Sequence, residues 1–310
     1  MTERRGPNLP ASVRQRLLNL SRERGEDFGL VLSHYAIERF LYRLSQSPHA
    51  TRFILKGAML FAVWTGRMHR PTRDLDLLAF GDTSDDALVE IVRAVCSQPV
   101  EPDGIEFDPA TLQAEPIREG ADYEGRRVRL MAALSGARID LRIDIGVGDA
   151  VVPAPQPVDY PTLLDFPAPR LRACPRETVV AEKLHAMVDR GILNSRMKDF
   201  YDIWTMARRF PFDGATLARA IRATFDRRDT PIPATPPVAL TAAFARDAQK
   251  LTQWKAFLRR HALDAAGLEF GSIIDELRGF LEPPLTALAA RVPFVVTWPP
   301  SGPWQMAIAR

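Results

Sequence analysis

The chain reads as an α+β protein in two parts, a mixed helix–strand domain over residues 1–165 and a helical domain over residues 166–310. Three observations predict this. Between residues 105 and 145 apolar and polar residues alternate at the period of a strand. From Val151 to Pro175 the chain is dense in proline (Pro153, Pro155, Pro157, Pro161, Pro167, Pro169, Pro175), which suits a crossing between domains. Beyond Pro175 the apolar residues recur at helical spacing.

Taken in order, Val13, Leu17, Leu18 and Leu20 mark a first helix, and Leu30, Leu32, Tyr35, Ile37, Phe40, Leu41 and Leu44 mark a second, starting near Ser33. Both are expected to pack over a sheet, with Arg39 and Arg43 on a solvated face. Strands over residues 51–55 and 74–80 flank a short helix over 58–65. Ser84-Asp85-Asp86 opens an amphipathic helix over 84–96, with its acids at the favourable end. Strands follow over 105–107, 114–117, 125–134 and 137–145, the last two joined by a Ser135-Gly136 hairpin turn. Pro175 suits the first turn of a helix over 176–189, whose apolar stripe leaves Lys183 to face a cleft. Asn194-Ser195 caps the next helix, and others are expected over 214–225, from 237 onward, over 252–260 and over 270–289. Residues 298–304 read as an extended or disordered tail, and the chain shows no internal repeat.

Composition narrows the class without naming the chemistry. The net charge of +3 is too small to fix a nucleic-acid partner. The arginine clusters (Arg126-Arg127-Arg129, Arg170-Arg172, Arg208-Arg209, Arg227-Arg228, Arg259-Arg260) suit bidentate contact with phosphate, and serve equally well as solvated faces or ion-pair partners. Two cysteines, Cys96 and Cys174, speak against a disulfide framework or a cysteine zinc site. Residues 1–7 lack the apolar core of a signal peptide, and no apolar run reaches about 18 residues, so a cytoplasmic protein with no membrane span is expected.

The chemistry concentrates in a few places. Asp74 and Asp76 lie two apart on a strand and so share a face. Like charges held that close are costly unless a cation lies between them, and Mg²⁺ takes carboxylate oxygens while keeping positions for phosphate. A bare pair of this kind also describes a solvated strand edge, so its surroundings must separate the two readings. Upstream, Gly57-Ala58 removes bulk where a helix would begin, a place whose free N–H groups suit phosphate, and Lys56 adds positive charge. Downstream, Asp144 ends a strand in which Ile139, Leu141, Ile143 and Ile145 alternate with Asp140, Arg142 and Asp144. Laid beside the Asp74/Asp76 strand, Asp144 would join the same metal site or act as base; otherwise Asp140 and Asp144 flank Arg142 as a charge ladder. Asp199 and Asp202 share one helix face, with Arg196 and Lys198 around them. A helix start with favourably placed acids explains that pattern too.

In series these motifs resemble the AbiEii/AbiGii toxin family, the nucleotidyltransferase-like toxins of bacterial type IV toxin–antitoxin and abortive-infection systems, to which the MenT toxins are similar. The resemblance rests on Lys56-Gly57-Ala58, Arg70-x-Thr72-x-Asp74-x-Asp76, Asp144-Ile145-Gly146-x-Gly148-Asp149, Ala181-Glu182-Lys183-Leu184 and Arg196-x-Lys198-Asp199-x-Tyr201-Asp202. It implies a polymerase β-like core, a small mixed sheet with flanking helices, followed by a helical domain. It also implies that Asp74 and Asp76 bind Mg²⁺ and a nucleoside triphosphate, with Asp144 completing the metal site or deprotonating the acceptor hydroxyl. Gly57 would admit the triphosphate, with Lys56, Ala58, Arg70, Thr72, Arg196 and Lys198 near it. Lys183 would neutralise its charge, and Asp199 or Asp202 would contact the nucleotide or hold Lys183. The family usually carries Gly-Gly or Gly-Ser at the first turn, so Ala58 leaves no hydroxyl there for regulatory phosphorylation. The implied acceptor is the 3′ end of tRNA, and the implied partner a winged-helix antitoxin. Nucleotidyl transfer to a protein or small molecule, and a non-catalytic RNA- or antitoxin-binding module, are the competing readings.

Overall fold

The computed structural model describes residues 8–117 and 125–306. Residues 1–7, on which the expectation about a signal peptide rests, lie outside the described residues. The chain divides into two compact units, the first running up to Gly148 and resuming over Gln156–Ala173.

In the first unit, Asn8 caps helix α1 (Leu9–Arg24), which stops where Gly25 turns left-handed. The Asp27 side chain accepts from the Leu30 N–H at 2.8 Å and starts α2 (Phe28–Gln46). The cap, rather than the first periodic apolar residue, sets that boundary, so α2 begins well ahead of Ser33. Arg39 and Arg43, expected in solvent, are buried. Arg39 is 1% exposed and pairs with Glu38 at 2.9 Å, while donating to the Pro167 carbonyl at 2.8 Å. Arg43 forks onto Asp103 at 2.6 and 3.1 Å. Helix α2 is covered on nearly every side, and a guanidinium in such a place must find an acid or a carbonyl.

The sheet follows: β1 (Phe53–Lys56), a 3-10 turn (Gly57–Met59), α3 (Leu60–Thr65), β2 (Asp74–Ala79), α4 (Asp85–Cys96), β3 (Glu106–Pro116), β4 (Arg126–Leu134), β5 (Ala137–Val147), β6 (Gln156–Asp159) and β7 (Arg170–Ala173). These strands stand in the order β3-β4-β5-β2-β1-β7-β6, with β2/β5 and β1/β7 parallel and the other pairs antiparallel. The two strands expected over 105–117 are one strand, β3, whose register shifts between Asp108 and Gln113. Ser135 and Gly136 both have positive φ, the geometry of a tight hairpin turn. The proline-rich stretch is not only a crossing. It supplies β6 and β7, and Pro157 is tolerated because β6 is an edge strand. Strand β7 thus belongs to the sheet although it lies past residue 165. Alternation along the strands sends Leu75, Leu77, Val128, Leu130, Ile143 and Ile145 into the core. Val13 and Leu17 of α1 and Val31 and Tyr35 of α2 pack with Leu134 and Ile139 at one end of it.

The second unit joins Asp149–Pro155 to the chain from Cys174 onward. It contains α5 (Arg176–Arg190), α6 (Met197–Arg209), β8 (Phe212–Asp213), α7 (Gly214–Arg227), α8 (Ala242–Arg246), α9 (Ala248–Arg260), α10 (Phe270–Ala289), β9 (Val296–Trp298) and β10 (Gln305–Met306). The expected loose tail is ordered: β9 pairs with both β8 and β10. Trp298 is buried and donates its indole N–H to the Ala207 carbonyl at 2.7 Å, and Trp304 stacks on Phe280. Large rings with a satisfied N–H anchor this segment in spite of its prolines. No helix among the described residues is long and apolar enough to cross a membrane. Neither Cys96 nor Cys174 is joined in a disulfide among the described residues, and burial pushes the Cys96 thiol up to about 12.

Candidate active site

The polar face of the sheet is organised by strand register. Lys56 is the Cα partner of Asp76, Asp76 of Asp144, Asp144 of Arg127, and Arg127 of Glu115. Five strands therefore contribute one row of charged residues across the sheet. Two residues along, Asp74 stands opposite Arg142, and Arg142 opposite Arg129. The expected meeting of the Asp74/Asp76 strand with the Asp144 strand is present. Asp144, however, is engaged: Arg127 donates Nε and Nη2 to its two oxygens at 2.7 and 2.8 Å. Hydrogen bonding to Asp144, with Asp74 and Glu115 adding to it, drives the Arg127 guanidinium further up from its already high range. Asp140 pairs with Arg142 at 3.1 Å, one half of the charge ladder that was the alternative reading of this strand, while Asp144 pairs with Arg127 instead of Arg142.

Gly57 has a tighter duty than leaving room for a triphosphate. Its φ is +71°, and a Cβ there would overlap the Asp76 carboxylate. The hydrogen side chain at 57 lets β1 turn directly against Asp76. Gly57→Ala is accordingly expected to push the Asp76 carboxylate aside, and wherever that carboxylate serves a reaction a displacement of roughly 1 Å lowers the rate by about a hundredfold. The left-handed backbone adds about 1–2 kcal/mol of strain. Initial rates and thermal melts of the two proteins check this, and a variant as active as wild type would contradict it.

The helix expected from residue 58 is a 3-10 turn followed by the short α3, so no extended helix N-terminus faces phosphate there. Ala58 and Lys56 are buried. Arg70 and Thr72 precede β2 in the loop, outside the charged row. The buried Arg70 lines a cavity of about 200 Å³ together with His34, Glu38 and Tyr160. The Thr72 carbonyl lies 2.8 Å from His34 Nε2, and burial lowers the His34 pKa. Burial also lifts Glu38 to about 7, against the pull of Arg39.

In the second unit, Lys183 reaches Asp199 at 2.6 Å and Asp202 at 2.9 Å, and Arg196 Nε reaches Asp199 at 2.7 Å. Both acids are fully buried. Burial alone would raise the Asp199 carboxyl, but Lys183, Arg196 and Lys198 outweigh it and hold the carboxyl below its ordinary range. Lys198 itself is exposed. Both acids hold the lysine, one of the two roles expected of the pair. Sequence reasoning passed over Lys250, which is 3% exposed and donates to the Asn194 carbonyl at 3.0 Å, fixing the approach to α6. It also passed over Arg127 as a partner of Asp144. The signal was in the hairpin: Leu134 faces Ala137, and stepping back equally along both strands puts Arg127 opposite Asp144.

No three His, Cys, Asp or Glu side chains among the described residues are grouped to hold a metal ion. The donor chemistry nevertheless fits a hard divalent cation, since Asp74 and Asp76 are half-buried oxygen donors on one strand face.

No curated protein matches the chain. Among solved structures, it is similar to a protein from H. pylori described as a nucleotidyltransferase, at 16% identity and a TM-score of 0.48, covering 81% of this chain and 96% of the other. It is likewise similar to JHP933 from Helicobacter pylori, at 16% identity and a TM-score of 0.48, covering 84% and 97%. The family model for the AbiEii nucleotidyl transferase toxin of type IV toxin–antitoxin systems matches residues 39–275, a span holding the whole charged row and the Lys183 cluster. With this α+β nucleotidyltransferase core and the helical unit after it, the chain belongs to the AbiEii nucleotidyl transferase toxin family.

Proposed function

We propose that the protein transfers a nucleoside monophosphate from an NTP to an RNA acceptor, the 3′ end of tRNA, and so blocks translation until a cognate winged-helix antitoxin restrains it. The observation that carries this reading is the register that sets Asp76 beside Asp144 with Asp74 on the same face, in a member of this family. Asp74 and Asp76 would hold Mg²⁺, which when bound supplies charge neutralisation at the reacting phosphate. Gly57 keeps Asp76 in its place. Lys56, opposite Asp76, offsets the carboxylate charge of the row. In the second unit, Asp199 and Asp202 fix the direction of the Lys183 ammonium, which suits a group that meets phosphate. Arg196 is pinned by Asp199 in the same way.

The test is incubation of the purified protein with each α-labelled NTP, Mg²⁺ and total tRNA, with EDTA as control. Label at tRNA 3′ ends, lost on chelation, is the expected result. Label found only in protein or small molecules would move the acceptor, and no transfer at all would leave a binding module.

A further inference from the structure

Asp76 and Asp144 are neighbours across parallel strands, so two carboxylates look out from one face a strand spacing apart. Like charges so placed repel, and the sheet supplies a cation on each flank: Lys56 opposite Asp76 and Arg127 opposite Asp144. Arg127 does more than sit nearby. Its fork covers both Asp144 oxygens, a geometry that fixes direction as well as charge. On the other flank Glu115, the partner of Arg127 in register on β3, gives its carboxylate to Arg129 at 2.9 Å. The pair is also reachable from solvent, with side chains 27% and 18% exposed. Asp144 thus has a cation of its own before any metal arrives.

We propose that Arg127 is a positioning residue that competes with the divalent cation for Asp144, so that the resident cation site is the Asp74/Asp76 pair and Asp144 is held out of it. This rests on reading the charged row as the cation-binding site of the transferase. It gives the site two carboxylates on one strand face instead of three, and makes Arg127 the group that sets its affinity for cations.

Mn²⁺ binding to the full-length protein, measured by titration calorimetry, tests this apart from activity. Arg127→Gln is expected to bind Mn²⁺ about tenfold tighter than wild type, the scale on which groups behind a metal ligand act. Asp144→Asn in the wild-type background should stay within about twofold of wild type, and should erase the gain when combined with Arg127→Gln. Arg127→Lys, which keeps the charge without the fork, should fall between, and serves if the glutamine variant does not fold. The proposal is overturned if Arg127→Gln and Arg127→Lys both bind as wild type does, or if Asp144→Asn weakens wild type as much as Asp76→Asn. If wild type binds Mn²⁺ and Asp76→Asn does not while the Arg127 variants are unchanged, only the Arg127 proposal fails. If none of the proteins binds Mn²⁺, the cation-site reading fails with it.

Discussion

Asp76→Asn is expected to reduce nucleotidyl transfer by about a thousandfold or more, the loss that follows when a preorganised electrostatic group is removed from a reacting centre. The change is nearly isosteric, so the space that Gly57 vacates stays filled and the turn after β1 keeps its shape. What disappears is one negative charge beside Asp144, in a row where two acids stand next to each other. Removing one of two neighbouring like charges relieves repulsion, which offsets the loss of the carboxylate charge opposite Lys56. The melting temperature should therefore hold within a few degrees while the rate collapses. That combination separates a catalytic acid from a structural one. Rates from labelled-NTP incorporation, read beside circular-dichroism melts, decide it; retention of more than a tenth of the activity would remove Asp76 from the machinery.

The same row shows where the sequence could be read and where it could not. The alternation of Ile139, Leu141, Ile143 and Ile145 with charged residues made β5 legible, and Ser135-Gly136 located its hairpin partner. The start of α4 was legible at its Ser84 cap, whereas the Asp27 cap puts the start of α2 ahead of where periodicity placed it, and α6 starts after Arg196 without the side-chain cap expected from Asn194-Ser195. The pairing of β2 with β5 was legible only as the condition for Asp144 to join Asp74 and Asp76, since parallel neighbours meet through long connections that no local pattern encodes. Gly57 shows the consequence. Its small size was visible, but the reason for it, the Asp76 carboxylate, follows only from the pairing of Lys56 with Asp76 one residue earlier.

Arginines were the weakest part of the reading for a related physical reason. Their long side chains can lie in solvent or reach a buried acid, and sequence spacing does not distinguish the two. Arg39 and Arg43 sit on α2 at ordinary helical positions, yet their acids are Glu38, next to Arg39 in the chain, and Asp103, far along it. The terminal Trp298 and Trp304 mislead in the opposite direction. Neighbouring prolines suggest a loose tail, but each indole N–H finds a carbonyl, on Ala207 and Phe280 respectively, and the rings complete an apolar cluster around Phe280.

Asp199→Ala is expected to cost the helical unit about 3 kcal/mol, the low end for breaking a buried ion pair, since Lys183 keeps Asp202 and Arg196 is part-exposed. The wild-type carboxylate is fully buried and satisfies two cations at once, Lys183 through one oxygen and Arg196 through the other. After the substitution Lys183 keeps Asp202, but Arg196 loses the acid that pins its Nε. Asp202→Ala should cost less, since Lys183 then retains the shorter of its two contacts. The pH dependence has a definite sign. Lys183, Arg196 and Lys198 overcome the effect of burial and hold the Asp199 carboxyl below its ordinary 3.8, so the folded state binds this proton more weakly than the unfolded chain. The stabilisation is then complete above that ordinary value and is lost as pH falls through the depressed one. Urea unfolding of wild type and Asp199→Ala should show a constant gap from pH 7 down to about 4, narrowing below it. A gap under about 1 kcal/mol at pH 7 would mean that the cluster is held by other contacts, and one that persists undiminished in acid would mean that the ion pair is not its source. Because Asp199 also directs Lys183, the variant should lose transfer activity at temperatures where it remains folded, which a purely structural acid would not require.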